Sequence, residues 1–494
     1  TAAGLGAVDL SFTRPGMVST NGTAAAPSIA RLQSWTGVSA EYGGAVTPRA
    51  RLFAEGFTSS MDKRERDWPA PTATRDSSGV GHIVADRGGR SQVSVFASAE
   101  GVHRPYGEMR PFRAAGVAED DRFMNVQGRW NRFDDRGARL ELSAGYRHGL
   151  FDPTASLPAG GVVIDRVVDG VLPASVARAT VDRTDAQLTY DAPATRRHAV
   201  QLGASFARDS SGARSLGRPP MTEILHGLPA RAWQPVSEVA AESSRWAWHV
   251  ASYITDRVSV SGSVTANLGL RVGVSTGRAD GGATRVVWPS VLPRANLRWV
   301  SRFGAVFGGY GRYQSELPLD VLAYGDPAEP VFNVYRWQGT GGPLVARAGR
   351  GPAVASIDAG LRAPHTDELV LGAEHRFASG MALRVTQVWR RERSIVRAVN
   401  VGVPLSSYQA RVIPDQGEDY DGVTDDRPLT VYDRLPSSFG KDLFLLTNND
   451  DEMAEYNATE IAWEYNGRRW WSFAGASSYH TWALGGNQMG RAHV

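Results

Sequence analysis

Cysteine is absent from all 494 residues. That excludes a disulfide framework, thiolate zinc and iron–sulfur sites, and a cysteine nucleophile. Lysine is nearly absent, with only Lys63 and Lys441, so the 54 bases set against 51 acids are almost all arginine. These charges are scattered with no sustained basic tract, so nucleic-acid binding has no electrostatic footprint. No run of ~18 apolar residues occurs, which removes a transmembrane helix. The start, Thr1-Ala-Ala-Gly-Leu5, has neither the basic nor the apolar region of a signal peptide. Helical periodicity is scarce as well.

What recurs is alternation of apolar and polar residues, the mark of a half-buried strand. In Ala199–Phe206, Val200, Leu202, Ala204 and Phe206 fall on one face and Gln201, Gly203 and Ser205 on the other. Leu268, Leu270, Val272 and Val274 oppose Asn267 and Arg271. Ile461, Trp463 and Tyr465 oppose Glu460 and Glu464, which predicts the first set outward and the two carboxylates inward. About seventeen such segments are read, near 5–14, 34–43, 49–58, 79–86, 91–100, 121–134, 137–148, 182–192, 196–208, 244–255, 263–275, 286–299, 304–314, 365–377, 381–394, 455–465 and 469–482.

The connections carry further information. Asp134–Gly137, Pro193–Thr195, Ser301–Phe303, Ala378–Gly380 and Asn466–Gly467 are short. Long Gly/Pro-rich stretches lie near 59–78, 101–120, 149–181, 209–243, 315–364 and 395–454, mostly alternating with them. Compact soluble domains rarely hold many loops beyond ~12–15 residues, whereas outer-membrane barrels combine short periplasmic turns with long extracellular loops. A soluble sandwich or propeller shares the alternation, but not this asymmetry or, for a propeller, the missing blade repeat. The expected fold is therefore all-β: an antiparallel up-and-down transmembrane barrel. Trp246, Trp248, Tyr253, Trp299, Tyr310, Trp463, Tyr465, Trp470, Trp471 and Tyr479 are candidates for its interfacial aromatic belts.

Few constellations point to chemistry. No P-loop and no His pair at zinc-ligand spacing occurs. His249, His375 and His480 lie inside strands and are candidates to face the lumen. The acidic stretch Asp415–Asp426 offers Asp419, Asp421 and Asp425 as weak Ca²⁺ ligands. The EF-hand pattern fails there at Gly417 and Pro428, so a solvated loop is the blander reading. The cluster Asn448–Glu452 has the same standing. Arg384, Arg390, Arg391 and Arg393, with Glu374 and Arg376, read as lumenal ion pairs or as a substrate-binding arginine ladder around one short turn. Tyr324, Tyr335 and Trp337 in the 315–364 loop are candidate ligand contacts; packing of the loop on its neighbours is the blander and favoured reading.

Several stretches resemble the barrel of TonB-dependent outer-membrane receptors, most of all the Oar-like group. Tyr253-Ile-Thr-Asp256 followed by Ala266-Asn-Leu-Gly-Leu-Arg271 is similar to the family's strand pair. Trp288–Arg294 resembles the start of its next strand, and Tyr310-Gly-Arg-Tyr313 the strand after. Leu361–Gly372 resembles a late Pro-x-Thr-(Asp/Glu)-Glu motif, and Tyr456–Glu460 and Arg469–Trp471 fit the strands beyond it. The likeness is order-preserving over roughly 245–482; residues 1–244 match in style only. It implies a twenty-two-stranded barrel, of which this chain is read as an internal fragment of about seventeen strands in one domain, 1–494. The plug, the Ton box and an N-terminal regulatory-like domain would lie outside it.

The resemblance implies a Gram-negative outer-membrane transporter that takes up a scarce ligand with work from the TonB complex. Its partners are membrane lipid, that complex through the plug, and an unknown ligand; no catalysis and no cofactor are needed. Protein export or surface adhesion, a passive porin and, more distantly, a soluble β enzyme are the competing readings.

Overall fold

The computed structural model describes residues 5–13, 30–65, 72–104, 118–154, 162–164, 176–217, 220–225, 228–237, 242–338, 341–377, 380–413, 429–449, 453–467 and 469–484. In chain order the strands are β1 (Leu5–Thr13), β2 (Ala30–Thr47), β3 (Ala50–Glu65), β4 (Thr72–Asp86), β5 (Ser91–Arg104), β6 (Ala118–Phe133), β7 (Arg139–Thr154), β8 (Val162–Ile164), β9 (Val176–Asp191), β10 (His198–Gly217), β11 (Met221–Leu225), β12 (Leu228–Pro235), β13 (Glu242–Ser259) and β14 (Val264–Ala279). They continue with β15 (Val286–Ser301), β16 (Gly304–Gln314), β17 (Val331–Arg336), β18 (Leu344–Gly349), β19 (Ala355–Ile357), β20 (His365–Arg376), β21 (Met381–Arg393), β22 (Ile395–Asn400), β23 (Tyr408–Ile413), β24 (Leu429–Arg434), β25 (Phe444–Asn449), β26 (Met453–Asn466) and β27 (Trp471–Leu484). Apart from strands, the described residues hold only three short 3-10 turns.

Seventeen strands form one sheet, and they coincide with the seventeen alternating segments. Each pairs antiparallel with the next: β1 to β7, then β9, β10, β13 to β16, β20, β21, β26 and β27. Among the described residues β1 pairs only with β2 and β27 only with β26. A meander puts alternate connections at opposite edges. One edge receives 48–49, 87–90, 134–138, 192–197, 260–263, 302–303, 377–380 and 467–470, none longer than six residues. The other receives 105–117, 155–175, 218–241, 315–364 and 394–452, along with 14–29 and two six-residue connections. The long loops therefore share one rim, as the asymmetry predicted.

Register propagates facing from strand to strand, because directly opposed residues share a side. One face carries Val38, Ile83, Val126, Leu142, Leu188, Leu202, Val250, Leu270, Val291, Val306, Leu371 and Ile461, all exposed. Trp130, Tyr190, Trp299, Trp463 and Tyr465 join them towards the short-turn edge, and Trp246, Trp248, Tyr310 and Trp389 towards the long-loop edge. The other face carries Glu460 and Glu464, in register with Thr386 and Ala382, so these carboxylates part from Ile461, Trp463 and Tyr465 as expected. Three belt candidates fall on the wrong side. Tyr253 shares the charged face, and so do Trp471 and Tyr479, since β27 inverts its pattern and puts serine and alanine outward.

The charged face is the concave one. Its side chains bond across an intervening strand: Arg271 to Ser205 at 3.0 Å, Thr189 to Tyr253 at 3.0 Å, Arg298 to Glu374 at 3.3 Å. Sheets of more than ~10 strands curl rather than stay flat.

The long loops form a cap with its own order. Strands from three of them make a five-stranded sheet, β18-β17-β12-β11-β8, and two of them share β19-β25-β22. Beneath lies a small core of Val286, Trp288, Leu317, Leu322, Ile357, Leu361 and Leu446, closed by the Trp288 indole N–H donating to Leu361 O at 3.1 Å. Ser394, at φ 55°, is a non-glycine residue in left-handed backbone and turns β21 from the wall into β22 of the cap. Asp442 clamps the loops: it accepts from Arg434 through both oxygens, at 2.9 and 3.1 Å, from Asn400 Nδ2 at 2.9 Å and from the Arg347 N–H at 2.8 Å. The Arg434 and Asp442 side chains are only 5% and 4% exposed, so losing one partner strands a buried charge.

Asp442→Ala is accordingly expected to weaken the cap by about 3–5 kcal/mol. Limited proteolysis should then cut within 315–364 and 394–449 while the seventeen-stranded sheet stays protected; equal protection of the cap would refute the clamp. A second tie is acid-sensitive. Thr447 Oγ1 and then the Gly360 N–H donate to the charged Asp358 carboxylate and hold its pKa below the ordinary range. A lowered folded pKa stabilises above the unfolded value and is lost as pH falls through the folded one. Amide exchange at Gly360 should rise on that acidic side, and Thr447→Val should move the rise to higher pH.

Candidate functional site

The concave wall holds the site. Period-two geometry fixes which side chains reach it: odd positions of β7, β9, β10, β13 and β14, and even positions of β15, β20, β21 and β26. Two glycines make room for aromatic rings laid flat on this wall. The Tyr253 ring lies 2.2 Å from where a Gly203 Cβ would stand, and the Phe307 ring 2.3 Å from a Gly372 Cβ. Any larger residue at either place would lift the ring away.

A polar chain runs across β9, β10, β13 and β14. Ser275 Oγ lies 2.9 Å from His249 Nδ1, and His249 Nε2 lies 2.9 Å from Asp209 Oδ2. Arg183 donates to both Asp209 oxygens, at 3.0 and 3.3 Å, and to Glu316 Oε2 at 2.9 Å. These are the residue types of a hydrolytic triad, but they are placed as a tie. Ser275 is 8% exposed and His249 5%, and Arg183 neutralises the carboxylate that would orient the imidazole. The donor atoms of Asp209, His249 and Glu316 all lie within 4.8 Å of one another, near enough for a metal ion. The Arg183 guanidinium already supplies the positive charge between the two carboxylates. The tie fastens the first residues of the 315–364 loop to the wall.

Two cavities open on the same face. One, of about 390 Å³, is lined by Arg147, Arg183, Asp185, Arg271, Arg294 and Glu316, with Tyr313 and Ser205 among its walls. The other, of about 590 Å³, shares Arg147 and Arg183 and is walled by Phe57, Phe123, Phe151, Val80 and Val181, with Glu55 and Glu100. Phe123 meets Phe151 edge-on at 5.5 Å. Alternation taken only as apolar outward and polar inward does not show this aromatic wall. The signal was there in parity: Phe53, Phe57, Phe96 and Phe123 alternate against the apolar outer set.

The residues singled out in the sequence are placed as follows. Tyr324 packs, half-buried, against the cap core; burial raises its phenol pKa, with Arg350 opposing and Asp320 and Glu329 adding to the rise. Tyr335 is half-buried in β17, alternating with buried Phe332 and Val334, and Trp337 follows that strand exposed, its backbone N–H donating to Ala230 O at 2.9 Å. Tyr324 thus sits in one part of the cap and the other two in another, and none lines the two cavities. Asp419, Asp421 and Asp425 lie outside the described residues. Asn448 is a structural clip, bonded to the Arg362 backbone and to Ser394 O.

The arginine cluster does not surround one turn. Arg384 lies near the 377–380 turn, but Arg390, Arg391 and Arg393 close the far end of β21. Alternation also splits them, with Arg391 on the outer face beside Glu455 at 2.7 Å and Arg390 on the concave face beside Glu368. Arg384 stacks on Phe307 at 4.9 Å, and Glu374 faces Arg298 and Arg376. Of the three candidate lumenal histidines only His249 faces the concave side; His375 and His480 fall on the outer one.

No family model matches the sequence, and no curated protein matches it. Solved structures do match the fold. The outer membrane transporter YddB from Escherichia coli is similar over 91% of this chain and 55% of its own, with 12% identity and a TM-score of 0.59. The FrpB iron transporter from Neisseria meningitidis is similar over 94% and 63%, at 10% identity and 0.56. The alcaligin outer membrane receptor FauA from Bordetella pertussis is similar over 93% and 61%, at 11% identity and 0.52. The chain therefore has the barrel fold of these outer-membrane proteins and spans between 55% and 63% of their lengths.

If Arg183 stands where a cation would otherwise sit, Arg183→Ala should expose a divalent-metal site. Co²⁺ added to that variant is expected to give visible d–d absorption that the parent chain lacks, and His249→Gln in the same background should abolish it. Co²⁺ absorption in the parent, or none in the variant, would show that these three groups are not a metal site masked by the guanidinium.

Proposed function

We propose that the chain is the barrel wall of a TonB-dependent transporter of the Gram-negative outer membrane. It takes up a scarce ligand with work delivered by the inner-membrane complex through a plug outside this segment. The observation that carries the reading is the sheet itself: seventeen strands in one meander, an apolar outer face, a charged concave face, and every long loop on one rim. The order-preserving motifs over 245–482 support the same family. A barrel this wide has a lumen too large for its own side chains to fill, which favours a plugged receptor over an open pore. The cap, with Tyr335 on its sheet and Trp337 just past it, is the part that would meet a ligand from outside. On the wall, Glu374, Glu368 and Glu455 are taken up in ion pairs with arginines, which suits a wall and not an active centre.

Deleting the TonB gene in the source organism should abolish ligand flux through the intact protein; unchanged flux would defeat the transporter reading in favour of a passive pore. The facing is tested separately. Val291→Arg, mid-strand on the outer face and 60% exposed, should cost about 2–4 kcal/mol in a bilayer. Gln127→Arg, on the concave face, should cost far less, both read from urea unfolding in lipid vesicles. Equal costs would mean that the outer face does not meet hydrocarbon.

A further inference from the structure

We propose that the 390 Å³ cavity on the concave wall binds a small organic polycarboxylate through Arg147, Arg271 and Arg294. Four guanidinia and two carboxylates line this cavity, and Arg183 among the four is already committed to Asp209 and Glu316. The other three, from β7, β14 and β15, face no carboxylate within salt-bridge distance among the described residues. That sets them apart from Arg376, Arg390 and Arg391 of β20 and β21, each of which pairs with a carboxylate.

Two of the three are held ready. Arg271 gives one N–H to Ser205 at 3.0 Å, which anchors it and leaves its remaining donors free. Arg294 is stacked over the Tyr313 ring at 4.8 Å, which fixes the plane of its guanidinium while leaving its edge open. Arg147 is exposed and lines both this cavity and its aromatic-walled neighbour. Planar forks presented from three strands, two of them held in place, match separated carboxylates, each able to accept two parallel N–H bonds. A single carboxylate would satisfy one fork only. The surplus of positive charge selects an anion, and the confined volume selects a small one.

This inference names a substrate class for the transporter reading and rests on that reading for its biological sense, while binding itself is measured without it. The experiment is calorimetric titration of the full chain in detergent with tricarballylate, with a triglutamate peptide as the second arm. Saturable tricarballylate binding is expected, weakening as NaCl rises from about 50 to about 300 mM because the contact is ionic. Arg147→Gln and Arg271→Gln should each weaken it by about tenfold or more, the loss of one charge-assisted pair. Arg384→Gln, stacked elsewhere on the same face, should leave it unchanged. Absence of saturable binding, salt-independent binding, or equal binding by the Arg147 and Arg271 variants would overturn the proposal. Binding of triglutamate alone would overturn it too, by assigning the arginines to an acidic protein segment. Tricarballylate binding that survives alongside flux indifferent to TonB would leave this site standing and remove only the transporter reading.

Discussion

Everything in this molecule depends on one constraint: an antiparallel strand shows alternate residues to opposite sides, and each pairing passes that parity to the next strand. Sixteen successive pairings carry it from β1 to β27. A one-residue slip anywhere along the central strands would put Val250, Leu270 and Val291 on the charged wall and Asp209, His249 and Arg271 on the apolar face. The penalty for such a slip grows with every strand beyond it, so the register is fixed by the whole sheet more than by any turn. The concave arginines and the outer valines are thus two consequences of a single geometric fact.

This is why so much of the wall was legible. Period-two patterning needs no knowledge of partners, and each of the seventeen segments stood alone in the sequence. Facing followed with it, as Glu460 and Glu464 show against Ile461, Trp463 and Tyr465. Reading went wrong where a pattern was judged by residue type instead of parity. Trp471 and Tyr479 looked like interfacial aromatics, yet β27 turns them inward, where Tyr479 lies near Tyr456 at 6.3 Å. Tyr253 was misread in the same way; it crosses Gly203 to reach Thr189.

The cap was far less legible, for a different reason. Its strands run three to eight residues, too short for alternation to declare itself, and they pair across loops distant in sequence. Arg183 meets Glu316 across 133 positions and Arg347 meets Asp442 across 95. No local pattern announces such partners. The same limit explains the arginines: residues 384–393 looked like a binding ladder because they cluster along the chain, whereas Arg147, Arg271 and Arg294 converge from three strands with nothing local to join them. Whether a guanidinium is available to a ligand depends on where its nearest carboxylate lies, and that is a tertiary property.

The wall and the cap divide the physical tasks accordingly. The wall needs only repetition: apolar side chains on one face, hydrogen-bonded backbone throughout, and short turns that keep the strands in register. The cap must instead be specific, and it contains what specificity requires: a hydrophobic core around Trp288, the buried Arg434–Asp442 pair and a non-glycine residue in left-handed backbone. The two meet at the Arg183 tie, where a wall arginine holds Asp209 on the sheet and Glu316 at the root of the 315–364 loop. A charge arriving in the adjacent cavity would act on the same guanidinium that fastens the loop. Occupancy of the wall would therefore bear on the position of the cap through one side chain, to the extent that an incoming anion competes with Glu316 for Arg183.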